Sequence, residues 1–243
     1  MKPHRRPAFY TLEALGGWQD YLNLLHLPYT FWHLSYVVMA AAMAPDLHLD
    51  RLAGTTLAFF LAVGIGAHAL DEVNGRPLGT RIPREILAPM AAVALTGALV
   101  LGVVAGLTIT PWIFPFVAFG GLIAVAYNLG LWGGRFHSDL WFAFAWGAFP
   151  VLTSYWINAQ RLDTSSVLLA AACLALSLAQ RSLSTQVRTI RRQSLTVDGT
   201  MQMADGSIVS VDGESLTAAP ERALQFMSIG VPALAVALLA SRL

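Results

Sequence analysis

Long apolar runs separated by short polar stretches dominate this chain of 243 residues. A helix needs about 20 mostly apolar residues to cross the roughly 30 Å hydrocarbon core of a bilayer. By that criterion the pattern predicts seven transmembrane helices, at about residues 29–44, 52–70, 86–107, 112–131, 140–157, 165–183 and 224–243. The predicted fold is all-α, a polytopic transmembrane helix bundle that forms a single domain over residues 1–243.

Two segments depart from this pattern. Residues 1–25 are predicted to form an N-terminal interfacial segment, because the stretch 9–25 has the composition of an amphipathic helix at a membrane surface. The apolar density also falls after Arg188, which leaves residues 194–219 as a soluble loop. Within that loop Asp205-Gly206 lies between two strand-like flanks, so we expect a short β-hairpin insertion with a two-residue turn.

The composition agrees with a membrane protein. Hydrophobic residues make up 56% of the chain and charged residues only 12%, which is too little polar surface to cover a soluble globule. The net charge of +1 and the position of the basic residues at membrane junctions argue against nucleic acid as a partner. Membrane lipids are the expected surroundings, and a protein partner is compatible with the sequence.

Lysine and arginine are distributed unevenly between the predicted loops. With the N-terminus inside, the outer loops hold only Arg51, Arg161 and Arg242. The inner side holds Lys2, Arg5, Arg6, Arg76, Arg81, Arg84, Arg135, Arg181, Arg188, Arg191, Arg192 and Arg222. Because basic residues concentrate in cytoplasmic loops, we expect the N-terminus and the hairpin in the cytoplasm, and a bacterial inner membrane as the location.

The first candidate functional site lies at residues 67–83, where an apolar run is followed by acidic residues, an asparagine and arginines. Charged groups so close to a membrane span are costly unless they line an aqueous cavity or bind something. His68, Asp71 and Glu72 stand three and four residues apart, so their side chains could share one helix face and hold Mg²⁺. The alternative is a helix end at which acids and arginines pair at the membrane surface.

Arginines supply the second candidate group. Arg188, Arg191 and Arg192 follow one another at helical spacing, and arginine is suited to bidentate binding of phosphate. The inner loops could bring them close to Asp71, so an isoprenoid diphosphate or another lipid phosphate is a candidate ligand. The alternative is that they only anchor the chain on its cytoplasmic side. His26 and His33 are interpreted as hydrogen-bonded structural residues rather than ligands.

Several sequence patterns together resemble the UbiA superfamily of membrane prenyltransferases. They are Leu25-His26-Leu27-Pro28 before the first span, Asp71 to Pro83 after the second, Tyr127-Asn128-Leu129 at the end of the fourth and Trp146-Gly147-Ala148-Phe149-Pro150 in the fifth. The resemblance covers about residues 18–192. It implies a helix bundle of UbiA type with a polar cavity at its inner end, covered by the hairpin segment 196–217.

The aspartate motifs of that family are reduced in this chain. The first, Asn-Asp-x-x-Asp-x-x-x-Asp, keeps only its middle acid at Asp71, while Ala67, His68 and Gly75 occupy its other positions. Thr189 and Gln193 stand at the aspartate positions of the second. Family members normally have nine spans, against about seven predicted here.

The resemblance implies a function and residue roles. The protein would move a prenyl group from an isoprenoid diphosphate to an acceptor, with Asp71 and Asn74 as catalytic residues. Asp71, His68 and Glu72 would hold Mg²⁺. The substrate-binding residues would be Arg76, Tyr127, Asn128, Arg135, Arg188, Arg191 and Arg192. Two alternatives stay open: a catalytically silent UbiA-like protein that binds a lipid or a partner subunit, and a metal-independent isoprenoid lyase or cyclase.

Overall fold

The computed structural model describes residues 8–12 and 16–243. Its first half consists of α1 (Trp18–Leu24), α2 (Leu27–Met43), α3 (Leu49–Phe59), the π-helical segment Phe60–Ala67, α4 (His68–Asn74), α5 (Arg84–Thr108), a 3₁₀ turn (Pro111–Ile113) and α6 (Phe114–Asn128). The second half consists of α7 (Leu131–Gly134), α8 (Asp139–Ala143), the π-helical segment Phe144–Ala148, α9 (Phe149–Ala159), α10 (Thr164–Arg188), the π-helical segment Thr189–Gln193, β1 (Asp198–Gln202), β2 (Ile208–Asp212) and α11 (Gly213–Ala240).

Within the described residues, six helices are long and apolar enough to cross a membrane. They are Leu49–Asn74, Arg84–Thr108, Pro111–Asn128, Asp139–Ala159, Thr164–Gln193 and Gly213–Ala240. The prediction of a multi-pass helical membrane protein is therefore confirmed. The remaining predicted span, residues 29–44, corresponds to α2, a helix of 17 residues. At 1.5 Å per residue this helix is about 25 Å long, at the lower limit for a membrane span.

The shorter helix α2 is the centre of the bundle, packed mainly against α11 and α9. Its Trp32 and Tyr36 are fully buried, and the Trp32 indole donates a 2.5 Å hydrogen bond to the Tyr36 hydroxyl. Met39 of α2 and Val151 and Tyr155 of α9 belong to the same core, together with residues of α10 and α11. Because α2 is surrounded by other helices, its polar side chains face protein neighbours rather than lipid.

The helix ends divide the basic residues into two groups. Arg51 donates to the carbonyl oxygens of Ile157 and Asn158, and Arg242 donates to that of Pro45, so these residues share one end of the bundle. We call it the far end; Arg161, directly after α9, lies there too. The opposite end, here the polar end, carries the described basic residues that were predicted on the other side. Lys2, Arg5 and Arg6 lie outside the described residues.

The N-terminal segment differs from its prediction as a helix over residues 9–25. The described helix is only α1, because Gly16 and Gly17 before it have positive φ angles of 121° and 68°, which interrupt a helix. Residues 8–12 are not helical. They are tied to α1 by a 2.8 Å hydrogen bond from the Leu12 amide to Asn23 Oδ1.

The predicted hairpin is confirmed, but its predicted turn is wrong. Strands β1 and β2 pair antiparallel from Asp198 opposite Asp212 to Gln202 opposite Ile208. The Met203 amide then donates to the Ser207 carbonyl, which leaves a three-residue turn with Gly206 at φ 84°. Asp205 Oδ1 accepts from the Ser207 amide and hydroxyl, and this side-chain bonding favours the longer turn.

Replacing Gly206 with valine is expected to loosen the hairpin, because a β-branched residue disfavours the left-handed conformation that this turn requires. Proteolysis between residues 198 and 212 should become several-fold faster, while the melting temperature of the bundle stays unchanged. The matched control is Gly199→Val, since Gly199 lies in β1 and its φ is not positive. Equal protection of the two variants would contradict the prediction.

Candidate functional site

A polar cavity of about 130 Å³ lies at the polar end of the bundle. It continues into a wider mouth of about 410 Å³, and four residues, Pro77, Arg181, Arg188 and Arg192, line both. The polar side chains that line the cavity are Tyr10, His26, Tyr29, His33, His68, Asp71, Asn128, Gln180, Arg181, Ser184, Arg188 and Arg192. The cavity therefore joins the N-terminal segment, α2, α4, α6 and α10.

One wall of the cavity is a polar stripe along α10 and the π-helical segment that follows it. Gln180, Ser184, Arg188 and Arg192 follow one another at intervals of four residues, so a helical backbone places them on one face. Gln180 is 3% exposed and the two arginines lie nearer the mouth. The stripe thus runs from the buried side-chain amide of Gln180 to the positively charged arginines at the polar end of the bundle.

Arg181 and Arg188 have different surroundings in the cavity. Arg181 donates a 2.8 Å hydrogen bond to Asp139 and lies over the Phe142 ring. Arg188 donates to the Ser184 carbonyl and the Thr185 hydroxyl, and within the described part of the chain it forms no ion pair. Arg188 therefore differs from Arg181, whose charge is paired with that of Asp139.

The opposite wall carries the predicted acid. Asp71 and His68 line the cavity from α4, one turn apart. The His68 Nδ1 atom lies 3.2 Å from the Gly64 carbonyl oxygen, which can only accept, so Nδ1 is the donor in this hydrogen bond. A carboxyl group and an imidazole ring thus line the same cavity as Arg181, Arg188 and Arg192.

Glu72 does not join them. Its side chain is buried on the other side of α4, and Oε1 accepts a 2.9 Å hydrogen bond from the Leu78 amide. The predicted magnesium set of His68, Asp71 and Glu72 is therefore divided, because consecutive residues of a helix point about 100° apart. Within the described residues, no group of three or more His, Cys, Asp and Glu side chains is arranged to hold a metal ion.

Five other predicted site residues also lie outside the cavity: Asn74, Arg76, Tyr127, Arg135 and Arg191. Arg191 forms a two-pronged ion pair with Glu221, at 2.5 and 2.7 Å, that joins the π-helical segment Thr189–Gln193 to α11. Arg76 donates to the Thr80 carbonyl within its own loop, and Arg135 is exposed. Asn74 donates to the Asn128 carbonyl at 2.9 Å, so it positions the end of α6 next to the cavity.

The two predicted residues of α6 are both buried. Asn128 lines the cavity, and its amide donates to the Ala124 carbonyl. The Tyr127 ring stacks on His137 at 4.5 Å and lies 4.7 Å from Trp146, so it supports the cavity wall from behind. Its hydroxyl has no hydrogen-bond partner among the described groups.

His26 is a cavity residue that the sequence interpretation missed. Its backbone is left-handed, with φ 45° and ψ 46°, and its ring stacks on His68 at 4.1 Å between centroids. A non-glycine residue in this conformation stores strain, which is common at functional sites. Burial, together with His68, Arg192 and Arg188, holds the pKa of His26 well below its usual 6.5. The ring is therefore neutral at pH 7.

Gln180 and His33 form the deep end of the cavity. His33 Nδ1 bonds the Trp146 carbonyl at 2.9 Å, as the structural interpretation of this histidine requires. Gln180 Oε1 is buried and has no hydrogen-bond partner in the described part of the chain. A buried polar atom without a partner costs free energy, so Gln180 is suited to a polar group of a ligand. The four-residue spacing from Gln180 to Arg192 was the signal in the sequence.

The N-terminal segment, and not the hairpin, covers the cavity. Ala8, Phe9 and Tyr10 line it, and the Tyr10 ring contacts those of Tyr29 and His26 at 5.3 and 5.4 Å. Burial raises the pKa of the Tyr10 phenol, which therefore stays protonated. The hairpin is exposed on nearly all its residues and lines neither the cavity nor the mouth, so the predicted cover of residues 196–217 is wrong.

All three π-helical segments contribute to this site. Ala67 and Trp146 line the cavity from the first two, and Arg192 lines it from the third. An extra residue in a turn rotates the following side chains, and such turns are frequent at functional sites. This rotation contributes to placing His68, Asp71 and Arg192 around one space.

Comparisons with protein-family models, with curated proteins and with solved structures found no match. The chemistry of the site is therefore inferred from its own geometry.

Acid is expected to destabilise the protein through His26. Below about pH 6.5 the His26 side chain is protonated in the unfolded chain but stays neutral in the folded protein, because its pKa is lowered there. Proton binding therefore favours the unfolded state. The melting temperature should fall between about pH 7.5 and about pH 5, and His26→Gln should reduce that fall by a few °C. His48→Gln, at the far end, is the control. An unchanged pH dependence in His26→Gln would contradict this prediction.

Proposed function

We propose that the protein is a UbiA-like membrane prenyltransferase that moves a prenyl group from an isoprenoid diphosphate to an acceptor. One observation carries the proposal: Arg181, Arg188 and Arg192 face Asp71 and His68 across a cavity at the end of a membrane bundle. Arginine binds phosphate oxygens through paired N–H groups. Coulomb attraction also grows where the effective dielectric falls next to hydrocarbon.

The proposed reaction starts with departure of the diphosphate. The C–O bond breaks, its electron pair leaves with the diphosphate, and Arg188 and Arg192 stabilise the added negative charge. The remaining allylic cation faces the rings of Tyr29, Phe142 and Trp146, which line the cavity. Aromatic faces stabilise cations. The acceptor then forms the new bond to the prenyl carbon and releases a proton to Asp71.

The other predicted residues take supporting parts in this proposal. Asn74 is a positioning residue that holds the end of α6 through the Asn128 carbonyl. The three proposed magnesium ligands do not face one space, because Glu72 is bonded to the Leu78 amide away from His68 and Asp71, so this set does not fit Mg²⁺. We expect EDTA to weaken diphosphate binding less than the loss of Arg188 does.

We further propose that the polar end is cytoplasmic and that the membrane is a bacterial inner membrane. The separation of Arg51, Arg161 and Arg242 from the other described basic residues supports this orientation. Ser207→Cys tests it, because the chain contains one cysteine, Cys173, and that residue is buried. An impermeant thiol reagent should label Ser207→Cys only in vesicles whose cytoplasmic side is accessible. Labelling from the other side alone would reverse the topology.

Transfer itself is tested with radiolabelled geranylgeranyl diphosphate and a bacterial lipid extract as the source of acceptors. The reconstituted protein should form a labelled, diphosphate-free lipid. Asp71→Asn should lower the rate of its formation at least tenfold, while diphosphate binding changes less. The control is Arg222→Ala, at the same end but exposed and outside the cavity. Tight binding without any product would refute the transferase.

That outcome would favour the second candidate, a catalytically silent protein that binds a lipid phosphate or a partner subunit. Its supporting observation is the charge of the cavity: among the described lining residues, Asp71 is the one carboxylate beside three arginines. Such a set suits binding of an anionic headgroup without a metal. A labelled hydrocarbon in place of a prenylated acceptor would instead indicate a lyase or cyclase.

A further inference from the structure

The hairpin has one apolar face and one polar face. Residues that stand directly opposite each other in an antiparallel pair share a face, and successive residues alternate between faces. The register therefore places Met201, Met203 and Val209 together, and these side chains are 50%, 42% and 45% exposed. The other face carries mainly polar side chains, such as Thr200 and Ser210. The hairpin thus exposes a small apolar surface on one side only.

This hairpin lacks the packing that usually stabilises so small a sheet. A two-stranded hairpin in isolation is only marginally stable in water and needs further strands or a packed face. Among the described elements, β1 and β2 pair with each other and with no third strand. Its apolar face and its open strand edges are therefore suited to a binding partner.

The charge of the hairpin segment limits the choice of partner. Residues 194–219 contain four carboxylates and no lysine or arginine. The four are Asp198, Asp205, Asp212 and Glu214. Bilayers that contain anionic lipids attract basic segments and repel acidic ones, so a lipid surface is disfavoured. Protein interfaces match patches of opposite charge, so the expected partner has an apolar group next to a basic one.

The α7 loop, residues 131–136, has this combination. Trp132 is 62% exposed, and Arg135 is exposed three residues later. Among the described residues, the Arg135 guanidinium has no ion-pair partner. Tryptophan and arginine are enriched at the positions that contribute most of the binding energy of protein interfaces. Neither residue lines the polar cavity or its mouth, so the proposed function leaves both unused.

The backbone of the α7 loop is strained. Trp132, Gly133 and Gly134 have φ angles of 52°, 67° and 76°, in the left-handed region. This conformation is unfavourable for a residue as bulky as tryptophan, and such strain is common at functional sites. The Trp132 ring also packs edge-on against Phe136, with 5.7 Å between centroids. The ring is therefore held in place although most of it is exposed.

We propose that the hairpin of one copy of this protein docks on the α7 loop of a second copy in the same membrane. The apolar face of the hairpin covers Trp132, and the acids of the hairpin attract Arg135. Within one copy both surfaces are exposed, so they do not cover each other. The inference goes beyond the proposed function and does not depend on the transfer reaction.

The geometry of the bundle favours this arrangement. The α7 loop follows α6, and the hairpin precedes α11, both at the polar end. Copies that share one orientation therefore present hairpin and loop at the same level of the bilayer. Strands of five residues are about 17 Å long, which lets the hairpin reach a neighbouring bundle. Contact between two hairpins is disfavoured because both are acidic, so each copy contributes one hairpin and one loop.

Photo-crosslinking between two tagged copies tests the contact. Both copies are expressed together, so that they share one membrane and one orientation, and one of them carries benzoylphenylalanine in place of Met201. Irradiation should join position 201 to residues 131–136 of the other copy, as located by mass spectrometry. The matched control carries the same group in place of Thr200, on the opposite face of the same strand. We expect about tenfold less product from that position.

Variants of the second copy identify the residues that bind the hairpin. Trp132→Ala and Arg135→Glu should each reduce the cross-linked product about tenfold or more. Both positions are exposed, and an unchanged melting temperature shows that the bundle is intact. Arg84→Glu is the control, because Arg84 is an exposed arginine of the same end in a different loop. That variant should leave the yield unchanged.

Several outcomes would overturn the proposal. Equal yields from positions 200 and 201, or cross-links to lipid or to another protein instead of the second copy, would do so. Product that persists in both Trp132→Ala and Arg135→Glu would assign the α7 loop to the membrane surface, where tryptophan and arginine are also common. Absence of any cross-link between the copies would overturn it as well. None of these results affects the diphosphate site, which is tested separately by binding and transfer.

Discussion

Replacing Arg188 with alanine is expected to weaken binding of geranylgeranyl diphosphate about tenfold or more. Hydrogen bonds to charged groups are worth about 1.5–3 kcal/mol each, and about 1.4 kcal/mol corresponds to a tenfold change in affinity. A large effect is expected because Arg188 lines both the cavity and its mouth, and no ion pair with a described carboxylate neutralises it. Fluorescence or calorimetric titration in nanodiscs measures the change.

The control for Arg188→Ala is Arg222→Ala. It removes the same charge from the same end of the bundle, but Arg222 is exposed and lines neither the cavity nor its mouth. A long-range effect of net charge would weaken diphosphate binding equally in both variants, and that effect would depend strongly on salt concentration. Equal affinity in the wild type and Arg188→Ala would contradict the proposed headgroup site.

Replacing Gly147 with alanine is expected to lower the free energy of unfolding by about 1–3 kcal/mol, the usual cost of overfilling a packed interface. A Cβ atom at Gly147 would lie 2.7 Å from both the Cys173 carbonyl oxygen and the Ser177 hydroxyl. Because one of these atoms belongs to the backbone of α10, the helix itself would have to move. The melting temperature in detergent should fall by several °C.

Gly230→Ala is the control for Gly147→Ala. Gly230 lies on α11, and a Cβ atom there meets nothing within 4 Å. The same substitution should be neutral or slightly stabilising at this position, because alanine has the higher helix propensity. A melting temperature of Gly147→Ala equal to that of Gly230→Ala would show that the contact between α10 and the π-helical segment Phe144–Ala148 tolerates the extra methyl group.

The polar cavity illustrates where sequence reasoning succeeds. Asp71, His68, Arg188 and Arg192 were predicted to meet, and all of them line it. The reason is that charge next to a membrane span is costly without a function, so such residues stand out in an apolar chain. The four-residue spacing on α10 also belongs to the sequence, because it follows from helical geometry alone.

For two pairs of neighbouring residues of like charge, the sequence predicted that both members belong to the site, but only one member of each pair lines the cavity. Arg191 and Arg192 are neighbours in the sequence, yet Arg191 pairs with Glu221 while Arg192 lines the cavity. Asp71 and Glu72 separate in the same way. Spacing defines which side chains share a face, but the rotation of the helix against its neighbours decides which face is turned inward.

By itself, the sequence determined the class of this protein, because the length and apolar character of its spans leave only a membrane bundle. It also determined the hairpin and the division of basic residues between the two ends. Only the tertiary structure decided that the N-terminal segment covers the cavity and that His26 and Trp146 line it. These features depend on packing between distant segments, on left-handed residues and on π-helical turns, none of which follows from local hydrophobic periodicity.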